Sequence, residues 1–349
     1  MSQTFGLVHS LRGIAATWVL LFHASEGRHI DQVKASIPAW SHSLFELGDN
    51  GVAIFFVLSG YVIAHSLRDR EVTASYLGRF ALRRSIRLDP PLWASIALVI
   101  IFAALSSKVK GEIWTAPTFG QVVSNATYTQ IFIGYPSINT VYWTLCYEVQ
   151  FYLALCLWLM LAQRAKVIAY CSMFGVAVAF GGGIVTSPVA GLFVDLWHCF
   201  FLGALAYWAH HGRMALVAFV LLNAILALSN PNVFTQFCMM TSVALFVARK
   251  TGLMDNGLSW RPLTFLGTVS YSLYLTHNPI SGASFFLLAK AGASQLAALF
   301  VTLAVCVAAA YLFWLLIERP SMNLAHKIKL QASQTPSSQT DVATLAPAP

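Results

Sequence analysis

Charge is scarce in this chain. Asp, Glu, Lys and Arg make up 10% of its 349 residues, against about 25% in soluble domains. Acid is the scarcer sign, with 13 Asp and Glu against 21 Lys and Arg. Strict apolar–polar alternation is missing, which argues against a β-barrel. No basic segment precedes the first apolar stretch, so the N-terminus reads as a retained helix and not a signal peptide. The six cysteines form no CxxC pair. Cys146, Cys156, Cys171, Cys199, Cys238 and Cys306 fall in or beside apolar stretches and read as small buried residues, not disulfides or metal ligands.

Apolar residues are abundant, at 58%. Ten stretches are long enough to be bilayer spans: about 6–24, 44–66, 91–106, 142–162, 167–187, 190–208, 214–229, 232–248, 263–286 and 292–317. With the N-terminus inside, the inner loops hold 15 Lys and Arg and the outer loops five. That bias predicts an all-α, polytopic membrane helix bundle with both termini cytoplasmic. It also accounts for the net charge of +8 without nucleic acid. One membrane domain is expected over 1–329. Residues 330–349, rich in Ser, Thr, Gln, Pro and Ala, are expected to form a disordered cytoplasmic tail.

The polar residues that do enter the apolar stretches are informative. Arg12 and His23 lie eleven steps apart in the first span. Eleven steps make about three helical turns, so both fall on one face, roughly 16 Å apart. An arginine near the centre of a membrane helix costs about 2.5–3.5 kcal/mol on insertion scales, which implies a partner or ligand. His23, Asp49, Glu148, Asp195, His198 and His277 fall toward the outer half. Arg12, an arginine-rich loop over about 67–90 and Glu318 fall toward the inner side. In that loop Arg79, Arg83 and Arg87 follow helical spacing, predicting an amphipathic surface helix ended by Pro90 and Pro91. The outer loop, about 107–140, mixes Trp114, Phe119, Tyr128 and Tyr135 with Gln121, Asn125, Gln130 and Asn139. Such a surface suits a sugar, or an interfacial belt.

Cations at the inner mouth suit a phosphate-bearing donor. An imidazole and a carboxylate beyond them suit general-base work on a hydroxyl. Coenzyme A has the matching shape: a charged nucleotide, a long arm and a terminal thioester. The competing reading is a proton-coupled transporter, since intramembrane His, Asp, Glu and Arg can form relays. No internal repeat supports it.

Six segments, in order, resemble the acyltransferase-3 family of membrane acyltransferases. They are Leu11-Arg12-Gly13 with His23; Gly51 to Gly60; Arg83-Arg84-Ser85-Ile86-Arg87 with Pro90; Tyr142-Trp143-Thr144-Leu145 with Glu148 and Tyr152; Phe265 to His277; and Glu318-Arg319-Pro320. Thr144 replaces a usual Ser, and Asp89 and Trp93 depart from the pattern near Pro90. The resemblance implies O-acyl transfer, most often of acetyl, from cytoplasmic acetyl-CoA or another acyl-CoA. The donor is a substrate; no permanently bound cofactor or metal is expected. The acceptor would be a hydroxyl on an extracytoplasmic or membrane-associated glycan, such as lipopolysaccharide O-antigen or exopolysaccharide; a macrolide-like small molecule is the alternative. His23 and Glu148 would be catalytic, with His23 either general base or transient acyl carrier and Glu148 orienting His23 and stabilising its imidazolium. Arg12, Arg84 and Arg87 would bind the donor. His277, Asp49, Trp143 and Tyr147 would be accessory or acceptor-side residues. A bacterial cytoplasmic membrane is the expected location, and the chain reads as a stand-alone core without a fused hydrolase-like domain.

Overall fold

A computed structural model describes residues 5–68 and 70–330. The expected tail falls outside them, apart from Leu330. The described residues are helical and contain no strand. Ten main helices follow the predicted apolar stretches: α1 (Gly6–Glu26), α2 (Gly51–Ser66), α3 (Ala74–Lys110), α4 (Trp143–Ala162), α5 (Lys166–Gly181), α6 (Trp197–Trp208), α7 (Arg213–Ser229), α8 (Val233–Lys250), α9 (Ser270–Lys290) and α10 (Gln295–Phe313). Among the described residues five candidate spans are long and apolar enough to cross a membrane: α1, α2 with the short helices before it, α3, α4 with the short turn before it, and α10 with its extension. Three shorter apolar helices, α5, α6 and α7, pack into the same bundle.

The bundle closes where glycines let backbones touch. A Cβ on Gly60 would meet the Phe200 carbonyl oxygen at 1.8 Å, and one on Gly203 would meet that of Val57 at 1.9 Å. These contacts seat α2 against α6, following the small-residue rule for membrane helices. Gly13 and Gly267 bring α1 against the short helix Arg261–Thr268 in the same way. Around these crossings Phe56, Phe151, Phe200 and Trp197 fill the core.

Two expectations about the loops need correction. Pro90 and Pro91 do not end a surface helix. One continuous helix, α3, runs through both. Proline removes an i→i−4 bond, but membrane helices tolerate it where neighbours supply donors. The carbonyls left without a helical donor are those of Ile86 and Arg87; the same stretch is tied to α9 by the Tyr271 hydroxyl, which donates to the Leu88 carbonyl at 3.1 Å. At 37 residues α3 is about 56 Å long, well beyond the roughly 30 Å hydrocarbon layer. Its arginine-bearing first third therefore projects past the apolar part. The segment 107–140 is not an open polar loop either. It carries two short helices, Phe119–Ala126 and Gln130–Ile133, and turns its amides inward. Asn125 donates to Gln121 and Pro136 carbonyls, Gln130 to that of Tyr142, and Tyr128 reaches Asp89 of α3 at 2.8 Å. Those amides are spent on backbone, while Phe119 and Trp114 stay exposed.

Candidate active site

Arg12 and His23 both face α9. Arg12 Nε donates to Ser270 Oγ at 3.4 Å, and its guanidinium lies 6.0 Å from the Phe55 ring centre. The His23 ring centre lies 5.3 Å from that of His277. The eleven-residue spacing on α1 thus maps onto Ser270 and His277, two turns apart on the parallel neighbour.

The imidazole pair is held from both sides. His23 Nδ1 donates to Glu26 Oε2 at 3.1 Å, leaving Nε2 with the lone pair. Asp49, exposed on the short helix before α2, is near enough to act on His23 electrostatically. His277 is fully buried. Its Nδ1 lies 3.0 Å from the Leu273 carbonyl and 2.9 Å from that of Tyr274. Carbonyls only accept, so Nδ1 carries the proton and Nε2 the lone pair. That Nε2 is buried and has no hydrogen-bond partner.

Pro279 explains how α9 is braced here. It has no N–H for the carbonyl four residues back, Leu275. Asn139 fills the gap, its Nδ2 donating to Leu275 O at 3.2 Å while Asn278 donates to Asn139 Oδ1 at 2.9 Å. Asn139→Ala should therefore cost about 1–3 kcal/mol, the price of a buried unsatisfied carbonyl. Adding Pro279→Ala restores the helical donor and should recover most of that loss. Thermal melts of the purified single and double variants check this; an additive double variant would contradict it.

At the other end three arginines share one neighbourhood. The Arg84 guanidinium stacks 4.1 Å from the Tyr152 ring centre. Tyr152 donates to Glu148, which also accepts from Ser59 Oγ at 2.8 Å. Arg87 lies within electrostatic reach of Arg84, Arg12, Glu318 and Glu148. Glu318 is buried and accepts from Ser272 through its N–H at 3.2 Å and its hydroxyl at 2.6 Å. It sits on a π-helical turn, Trp314–Glu318. Pro320 has no N–H for a regular ladder there, and such widened turns recur at functional sites. Among the described residues no ion pair holds Arg12, Arg84 or Arg87. Three cations thus face two carboxylates that are already hydrogen-bonded.

Two cavities adjoin this cluster. The first, about 40 Å³, is lined by Arg12, Phe55, Ser59, Thr144, Glu148 and Tyr274. Its wall on α2 runs from Val52 to Ser59, about 10 Å along the helix, toward the histidine end. The second, about 210 Å³, lies between α3 and α4 and is lined by Arg84, Ser85, Asp89, Tyr128 and Tyr152. Glu148 and Tyr152 separate the two.

The predicted site residues thus form two groups. His23, His277 and Asp49 gather at one end; Arg12, Arg84, Arg87 and Glu148 gather at the other. Glu148 does not orient His23: its partners are Ser59 and Tyr152, and the carboxylate on His23 is Glu26. Trp143 and Tyr147 pair edge to face, with Trp143 also against Phe56. His198 bonds Thr235 and Asp195 caps Ser187, outside both groups. Sequence reasoning missed Glu26, Ser59, Ser272 and the role of Glu318 as a buried acceptor. Glu26 had a signal, since it lies one turn after His23. Among the described residues no group of three or more His, Cys, Asp or Glu could hold a metal ion.

A family model, described as an acyltransferase domain, matches residues 8–317. The chain belongs to the acyltransferase-3 family. Similar proteins include the acyltransferase MdmB of Streptomyces mycarofaciens, 28% identical over 332 residues that cover 80% of this chain and 82% of that one. The peptidoglycan O-acetyltransferase OatA of Listeria monocytogenes is 25% identical over 66% of this chain and 44% of its own. The transacylase BcsY of Komagataeibacter xylinus is 25% identical over 93% and 85%. No solved structure matches. This chain is a membrane acyltransferase.

Proposed function

We propose that the protein moves an acyl group, acetyl first among them, from cytoplasmic acyl-CoA to a hydroxyl of an extracytoplasmic or membrane-associated glycan. The excess of half-buried positive charge carries this reading: three guanidinia without an ion pair among the described residues, Arg12 lining the first cavity, Arg84 the second and Arg87 within electrostatic reach of both, suit the phosphates of a nucleotide donor. Arg12, Arg84 and Arg87 hold those phosphates. The pantetheine arm runs along the cavity toward α9, past Thr144 and Tyr274. Glu148 and Tyr152 set the position of Arg84 and do not take part in proton transfer. His23, fixed by Glu26 with a free Nε2, takes the acceptor's hydroxyl proton. The oxygen attacks the thioester carbonyl, the C–S bond breaks, and the thiolate leaves with the proton from the imidazolium.

The basic-loop bias supports a topology with about ten crossings, both termini in the cytoplasm and the arginine end inward. A bacterial cytoplasmic membrane fits that arrangement. The family membership and OatA's peptidoglycan activity support an O-acyl acceptor of the glycan class. The test is release of CoA from acetyl-CoA by the purified protein in liposomes, with and without soluble oligosaccharide acceptors. Acceptor-dependent CoA release and an acetylated product are expected. No CoA release with any acyl-CoA overturns the donor assignment.

A further inference from the structure

The reaction needs one base, yet two imidazoles meet at the histidine end. Their protonation is legible from their partners. Glu26 fixes the proton of His23 on Nδ1. The Leu273 and Tyr274 carbonyls fix that of His277 on Nδ1. Both Nε2 atoms are therefore lone pairs, and that of His277 is buried without a partner. A buried acceptor left unmade costs about 1–3 kcal/mol, so its persistence in an otherwise satisfied site points to a donor that arrives during the reaction.

The spacing supplies that donor. A ring nitrogen lies a little over an ångström from its ring centre. Two nitrogens aimed at each other across the 5.3 Å between centres come to about 3 Å, hydrogen-bond distance. His277 cannot turn, being clamped to α9 and fully buried. His23 is partly exposed, and its soft terminal torsion allows a small adjustment while Glu26 keeps hold of Nδ1.

We infer that His277 is a proton-sharing partner of His23. When the acceptor's O–H breaks and its proton moves to His23 Nε2, the new N–H is shared between the acceptor oxygen and His277 Nε2 as a three-centre bond, and His277 steadies the imidazolium until the departing thiolate removes the proton. His277 touches His23 rather than substrate, so it is a positioning residue. This rests on the proposed acyl transfer. The titratable groups facing the pair are Glu26 on α1, Asp49 before α2, Tyr274 on α9 and Cys306 on α10, whose thiol lies 4.0 Å from the His277 carbonyl. None of them offers a second lone pair to His23 Nε2.

The test is the pH profile of kcat/KM for wild type and His277→Leu, which keeps the volume and has no acceptor. An acceptor for the imidazolium proton favours the charged form. Removing it makes His23 release its proton at lower pH, so the acid limb should move down by roughly half a unit to one unit, with kcat reduced and the acyl-CoA KM unchanged. An unshifted limb with active His277→Leu protein overturns the inference while leaving acyl transfer standing; an inactive wild type indicts acyl transfer instead. Histidine ¹⁵N spectra of wild type give a second readout that needs no variant. His277 should show a protonated Nδ1 and a bare Nε2 throughout the active pH range. A protonated Nε2 at neutral pH overturns the inference.

Discussion

His23→Ala loses about 10²–10⁴-fold of acyl transfer, the usual contribution of a positioned base, while acyl-CoA still binds. The separation of the two ends makes this a sharp expectation. His23 contacts Glu26 and His277, whereas Arg12, Arg84 and Arg87 cluster about Glu148 and Glu318. The proposed mechanism therefore assigns donor affinity and proton transfer to different residues. Titration of the variant with CoA should give a dissociation constant within about twofold of wild type, far less than one charge-assisted hydrogen bond contributes. Transfer that survives intact in His23→Ala would remove it from the chemistry.

The converse variant, Arg84→Ala with Arg87→Ala, should raise the acyl-CoA KM by at least tenfold and leave the pH profile in place. A hydrogen bond to a charged group contributes about 1.5–3 kcal/mol, and each 1.4 kcal/mol is a factor of ten. Arg84→Lys tests geometry separately. It keeps the charge but loses the flat fork that stacks on Tyr152, so it should recover only part of the affinity. A double variant with unchanged KM would show that the arginines serve folding or topology alone.

Much of the fold was legible because its signal is local. Apolar stretches, loop charge and the eleven-residue spacing from Arg12 to His23 each need only the sequence near them. The errors came where distant segments supply a missing partner. Pro90 and Pro91 read as a helix end, but α3 continues through them, packed on α9 and tied to it by Tyr271, far along the chain. Asn139 and Gln130 read as free amides for a sugar, but they serve carbonyls of Leu275 and Tyr142. Glu148 read as the partner of His23 because both are intramembrane and titratable. Spacing along two separate helices does not fix their relative depth, and Ser59 and Tyr152 hold Glu148 at the arginine end. Glu26 was overlooked because a helix-end carboxylate looks like ordinary interface charge.

The central claim is that one donor molecule reaches from the arginines to the histidine pair. A cryo-electron microscopy structure of the protein with a non-hydrolysable acyl-CoA analogue tests it most directly. Phosphates are expected within hydrogen-bond distance of Arg12, Arg84 and Arg87, with the arm beside Ser59 and Thr144 and the acyl carbon next to His23. A nucleotide bound at the histidine end, or an acyl group buried away from His23, would contradict it.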